Sequence, residues 1–200
     1  MSDSFLETER LILRRFRQAD RDNLVELDSD PEVMRYLNGG LPTPRAVVES
    51  DILPRFLRYD AGCGGCFAAI EKVRGAFIGW FSLYAADGDG TFRLGYRLRR
   101  SAWGKGYATE GARALIRTGF VDLGMRRVEA DTYEYNVASR RVMEKVGMSL
   151  VRSYRPTAEE IAAGGTFVSA GEVWDGDEVV YALDRVAWEQ REKWEQRAAT

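Results

Sequence analysis

Few arrangements are open to the chain between Thr91 and Thr132. "TFRLGYRLR" alternates as a half-buried strand does, "SAWGKGYA" interrupts it with two glycines, a helical stretch runs from Thr109 to Leu123, and "RRVEADTY" alternates again. Strand, crossing helix and strand make a βαβ unit. Thr91–Arg99 and Arg127–Thr132 are therefore expected to lie parallel, joined by a right-handed crossover. The surrounding strands are joined by short turns and are expected to be antiparallel. The fold class that follows is α/β, a mixed sheet that is mostly antiparallel with one parallel pair and helices on both faces.

The flanking segments fit that frame. "ERLILRRF" (Glu9–Phe16) reads as a strand, and three helices follow. Asp20 is the expected cap of the first, and Asp30 precedes Pro31 at the start of the second. In the third, Thr43 is the expected cap with Pro44 in its first turn, and Pro54 divides it. "GCFAAIEK" and "GAFIGWFSLYA" read as strands joined by a turn near Arg74-Gly75. "NVASRRVMEKVG" reads as a helix ended by Gly147 one residue past its cap. "MSLVRSYR" and "EVVYALDRVAW" read as strands around an irregular excursion, Pro156–Gly176, in which Ala158–Ala163 is helix-like. The chain is read as one domain over residues 1–200, with its core in residues 7–186 and a charged helix at 185–198.

Composition removes several classes of function. A net charge of −2 gives no overall footprint for nucleic acid. No apolar run is long enough to cross a bilayer, and "MSDSFLETERLILRRF" lacks the basic-then-apolar order of a secretory signal. The expected location is cytoplasmic. The chain contains 0 histidines, so acid–base chemistry falls to carboxylates, Tyr, Cys, Ser, Lys, water or substrate. Cys63 and Cys66 in "CGGC" are too few for a zinc site without histidine, and no metal is expected. Their spacing also matches a redox pair, but no thioredoxin-like pattern surrounds them, and they read as a turn entering a strand.

The glycine turn is the candidate ligand site. Gly104 and Gly106 admit backbone conformations that bring successive amides together, and the following helix adds its positive end. Lys105, Arg99 and Arg100 supply cations nearby. The order is wrong for a P-loop, and "GKGYAT" matches the dinucleotide fingerprint only in part. Asn136 opens the later helix at the same edge of the sheet. Its ordinary role is an N-cap, and Ser139, Arg140 and Met143 share its face.

Taken together, "ETERLILRRF", "DPEVMRYL", "LGYRLRRSAWGKGYATEGARALI", "NVASRRVMEKVGM" and "YALDRVAW" resemble the GNAT-superfamily N-acetyltransferases, in particular the Rim-type enzymes that acetylate ribosomal-protein N-termini. The resemblance implies acetyl-CoA as acyl donor and a primary amine, of a protein N-terminus or a small molecule, as acceptor. It places the CoA pyrophosphate on Gly104, Lys105, Gly106, Tyr107, Ala108 and Thr109. Trp103 stands where the superfamily pattern has Arg or Gln. Main-chain groups of Leu98, Arg99 and Arg100 are implied to bind the pantetheine, and Asn136 and Arg140 the cofactor arm. Nucleic acid and membrane are not expected partners, and homodimerisation is left open.

The implied chemistry is direct attack of a neutral amine on the thioester. Many superfamily members place a Tyr seven residues after the asparagine. Met143 stands there, and Ser139, in the Rim-type N-x-x-S, is assigned to the departing thiolate. An amide of the strand near Leu98 is the expected oxyanion donor. Asp131 is the base candidate nearest the cofactor end, with Glu129 on its face. Glu71, Tyr133 and a water relay are alternatives. Two other readings stay open: a catalytically silent acyl-CoA-binding module of the same fold, and a nucleotide-binding protein.

Overall fold

A computed structural model describes residues 4–60, 64–157 and 176–198. Among them the strands are β1 (Ser4–Glu7), β2 (Leu11–Arg15), β3 (Tyr59–Asp60), β4 (Gly64–Glu71), β5 (Ala76–Asp87), β6 (Thr91–Leu98), β7 (Arg127–Tyr133), β8 (Ser149–Tyr154) and β9 (Glu178–Asp184). They form one sheet in the order β1-β2-β4-β5-β6-β7-β9-β8, with β3 beside β4. β6 and β7 are the parallel pair. The other neighbouring pairs are antiparallel.

Helices α1 (Arg21–Leu27), α2 (Pro31–Asn38), α3 (Arg45–Val47) and α4 (Leu53–Leu57) precede β4. α5 (Tyr107–Val121) is the crossover, α6 (Val137–Lys145) follows β7, and a C-terminal helix (Arg185–Ala198) follows β9. Two apolar cores result, one on each face of the sheet. Leu115, Ile116 and Phe120 of α5 and Met143 of α6 pack on Leu13, Phe81, Leu94 and Val128. Leu24 and Leu27 of α1, Val33 of α2 and Phe56 of α4 pack on Ala68, Phe77 and Trp80.

Local chemistry explains where the elements start and stop. Asp30 accepts from the Glu32 N–H at 3.0 Å, and Pro31 opens α2, as the sequence suggests. α6 closes as a Schellman turn. Gly147 N–H donates to Glu144 O and Met148 N–H to Met143 O, both at 3.0 Å, with Gly147 at φ 96°.

Other expectations need correction. β1 is an additional strand, paired with β2 as a hairpin. Asp20 makes no capping bond to α1. Its carboxylate instead accepts from the Arg17 N–H at 2.8 Å and takes both terminal nitrogens of Arg14 at 2.7 Å, a buried pair. Thr43 caps nothing, and Pro44 itself is the residue before α3. Pro54 divides the third helix through the turn before it. Lacking an N–H, it cannot continue the ladder, and residues Val48–Ile52 widen into a π-turn in which Leu53 N–H reaches Val48 O.

β6 stops at Leu98, because Arg100–Ala102 form a tight 3-10 turn, and α5 begins at Tyr107 rather than Thr109. Cys66 is a free, buried thiol, pushed up to about 12 chiefly by burial, so it fits a packed position. Cys63, the helix-like Ala158–Ala163 and most of the Pro156–Gly176 excursion lie outside the described residues.

Candidate active site

β6 and β7 begin as neighbours and then part. Their register covers Thr91 with Arg127, Phe92 with Val128 and Arg93 with Glu129, yet the strands continue to Leu98 and Tyr133. β6 stays paired to β5 as far as Leu98, and β7 to β9 as far as Tyr133. A wedge therefore opens in the middle of the sheet. Arg99 N–H donates to Ile78 O at 2.9 Å. By the alternation of an antiparallel ladder, the amides of Tyr96 and Leu98 then face the wedge.

A bulge in β5 sets this end of β6. The β4–β5 register skips a residue beside Gly79, which has φ 138°. A Cβ on Gly79 would collide with the Arg97 carbonyl and the Leu98 backbone, so only glycine lets β6 run this close. The Leu98 carbonyl is already taken, accepting from the Trp103 indole at 2.8 Å. Trp103 thus fixes the strand end that the sequence assigned to a ligand.

The glycine turn sits at the mouth of the wedge. Gly104 and Gly106 have φ 72° and 83°, and Gly106 caps α5 without any side-chain bond. The first helical bond runs from Glu110 N–H to Gly106 O at 3.0 Å. The N–H groups of Tyr107, Ala108 and Thr109 have no partner inside the helix and point out of its positive end.

A network below holds the turn in place. Arg10 Nη1 donates to Lys105 O at 3.0 Å and Nε to Glu110 at 2.7 Å. Thr8 donates to Glu110 and Tyr107 to Glu71, each at 2.6 Å. Glu71 is therefore a brace for the turn. The sequence displayed these residues without showing that they converge.

The arginines need a second correction. Arg99 reaches Glu26 at 2.8 Å and Asn23 at 3.2 Å, and Arg100 lies 3.6 Å from Asp30. Both side chains turn towards α1 and the loop after it, away from the amides of α5. Lys105 is the cation left within the turn itself.

The entrance of α6 is built differently. Asn136 accepts from Ser139 N–H at 3.2 Å and donates to Thr132 Oγ1 at 3.1 Å, a side-chain N-cap. That fixes Ser139, whose Oγ lies 3.0 Å from the Tyr96 hydroxyl; Tyr96 also donates to Ser139 O at 3.1 Å. Burial pushes the Tyr96 phenol well up, so it remains protonated near neutrality. Tyr96 was not picked out from the sequence. Arg140 is committed within the fold, to Tyr181 Oη at 3.1 Å and Glu134 O at 3.0 Å. Met143 is buried in the core.

On the opposite face of the wedge, Arg97 and Asp28 form a buried pair at 2.6 Å that pins α1 to β6. Asp131 accepts from Arg93 Nη1 at 2.8 Å, and Glu129 accepts from Arg127 at 2.9 Å. One oxygen of Asp131, the base candidate from the sequence, is thus engaged by Arg93. Tyr133 continues the same face and packs against Tyr36 of α2 with ring centroids 6.1 Å apart. Directly opposite Tyr133 in the ladder stands Glu178 of β9. Its Oε2 is buried and makes no hydrogen bond. Burial, reinforced by the charge of Asp131, raises its carboxyl to about 7.

The comparisons with known proteins agree with this geometry. Residues 10–149 match the model of the acetyltransferase (GNAT) domain. YnaD of Bacillus subtilis, an uncharacterised N-acetyltransferase, is 30% identical over 144 residues, covering 72% of this chain and 81% of the relative. An FsC-acetyl coenzyme A-N(2)-transacetylase of Aspergillus fumigatus is 30% identical over 197 residues, covering 94% and 79%. Among solved structures, a GNAT-family acetyltransferase from Bacillus anthracis superposes with a TM-score of 0.72 at 24% identity, covering 90% of this chain and 98% of that one.

Proposed function

The chain belongs to the acetyltransferase (GNAT) family, and on that premise we propose that it transfers an acetyl group from acetyl-CoA to a primary amine by direct attack. The observation that carries this reading is the wedge between β6 and β7 with the uncapped start of α5 at its mouth. An extended thioester arm fits between the diverging strands. The amides of Lys105 to Thr109 suit a pyrophosphate, with Lys105 beside them. A relative whose name includes acetyl coenzyme A and N(2)-transacetylase supports the donor and the nitrogen acceptor.

The residues divide the reaction between them. The amine nitrogen attacks the thioester carbonyl, and the new C–N bond places negative charge on oxygen. The Leu98 amide faces the wedge and is the donor for that charge. As the C–S bond breaks, the thiolate takes a proton from the Ser139 hydroxyl, which regains one from water, while Tyr96 holds the serine across their shared bond. Asn136 positions Ser139 through the helix cap. The acceptor comes from the face of α1 and α2, where Glu26, Asp30, Val33 and Arg100 line a cleft of about 390 Å³. Among the described residues no cluster could hold a metal ion, and no helix is long and apolar enough to cross a membrane.

The test is a panel of amines, covering peptide N-termini, polyamines, aminoglycosides and amino acids, incubated with acetyl-CoA and read by mass spectrometry. An added acetyl group with matching release of CoA is the expected result. Binding of acetyl-CoA without turnover on any amine would favour the silent module.

A further inference from the structure

Resting on the acetyl-transfer reading above, we infer that Glu178 is the catalytic base that takes the proton from the attacking ammonium ion, and that the acceptor is bound as a cation. β9 lies one strand beyond β7, and the ladder sets Glu178 beside Tyr133, on the wedge face that α2 covers through Tyr36. Acetyl transfer to an ammonium ion removes two protons from nitrogen: one leaves on this face before attack, and one leaves as the tetrahedral intermediate collapses, balancing the proton that Ser139 gives to the thiolate on the other face.

Glu178 suits that task because nothing else claims it. Asp131 is paired with Arg93, Glu129 with Arg127, Glu26 with Arg99 and Asp28 with Arg97. Glu178 Oε2 is buried with no hydrogen-bond partner. As the base, Glu178 takes the proton directly or through one water.

The groups facing Glu178 make the site acidic and aromatic. Asp131 and Tyr133 face it from β7 and Tyr154 from β8, with Arg152 over the Tyr154 ring. Tyr36 of α2 stands over Tyr133, and Arg35 lies against Tyr36. Arg93 of β6 is held by Asp131. Phenol rings and an uncompensated carboxyl recognise an ammonium group. Deprotonated Glu178 attracts the cation, then accepts its proton before the nitrogen attacks, and the neutral carboxylic acid returns the proton to water.

The sign of the pH dependence follows. A base with its carboxyl raised to about 7 is protonated and inactive below that pH, so kcat/KM rises with pH through about 7. The same rise affects folding. Stability from this group is complete below its ordinary value of 4.5 and is lost as pH climbs through about 7.

The experiment compares wild type, Glu178→Gln and Glu178→Asp with one active amine, recording kcat/KM against pH and thermal unfolding at pH 5 and pH 8. The expected result has three parts. The limb near 7 disappears in Glu178→Gln with roughly a 100-fold loss of kcat. Glu178→Asp keeps the limb with partial activity. Glu178→Gln unfolds at a higher temperature than wild type at pH 8, and this gain shrinks at pH 5. Wild-type rates and an unchanged limb in Glu178→Gln would overturn the assignment of the base while leaving acetyl transfer intact. Absence of transfer by wild type to every amine would overturn the underlying reading.

Discussion

Two helices begin at the same edge of this sheet, each following a strand of the parallel pair, and they treat their first turn in opposite ways. α6 is closed from within, because Asn136 accepts the Ser139 N–H. α5 is left open, because its cap is Gly106 and no side chain reaches its amides. Orphan N–H groups at a helix start must find an acceptor, and the positive end of the helix makes an anion the best one. The difference separates a binding site from a positioning device. On the proposed reading, the open start holds the donor, and the closed start holds the serine that works on it.

The largest expected effect comes from spoiling the open start. Gly106→Val forces a β-branched residue into φ 83°, where a Cβ meets only the end of the Arg10 side chain. The cost is therefore conformational, not a collision with the core. The amides lose their convergence, and CoA affinity should fall by about 100-fold or more in titration calorimetry. Next comes the group that the closed start positions. Ser139→Ala should lower kcat by roughly 10- to 100-fold with little change in KM for acetyl-CoA, measured where chemistry limits the rate. Wild-type kcat would reduce Ser139 to a structural residue.

The smallest effect sharpens the contrast. Asn136→Ala removes a helix cap and should cost about 1 kcal/mol of stability in denaturant unfolding. CoA affinity should stay within a few-fold of wild type, since α6 is not read as the anion site. A loss of affinity matching that of Gly106→Val would erase the distinction between the two helix starts.

Much of this was legible in the sequence because it is local. The βαβ unit, the glycine turn, the cap at Asn136 and the Gly147 stop each depend on residues within a few positions of one another. What escaped depends on distance along the chain. Arg10 braces a turn some hundred residues away through Glu110 and Lys105. Tyr96 meets Ser139 only because β6 and α6 converge. Glu178 opens the "EVVYALD" strand, and alternation alone could set it opposite Tyr181 in facing. Its place beside Tyr133 required the register of β9 on β7, strands separated in sequence by α6 and β8. The Arg99 and Arg100 side chains were not the expected cations of the turn, because proximity in sequence does not say which way a side chain turns.

The central claim is that the open start of α5 binds the pyrophosphate of the acyl donor. Calorimetric titration of CoA and of pantetheine, which lacks the pyrophosphate, tests it most directly in wild type and Gly106→Val, with circular dichroism to confirm that both are folded. The account predicts that wild type binds CoA at least about 100-fold more tightly than pantetheine, and that Gly106→Val removes this advantage. A folded Gly106→Val protein that still prefers CoA to pantetheine by the wild-type margin would contradict it.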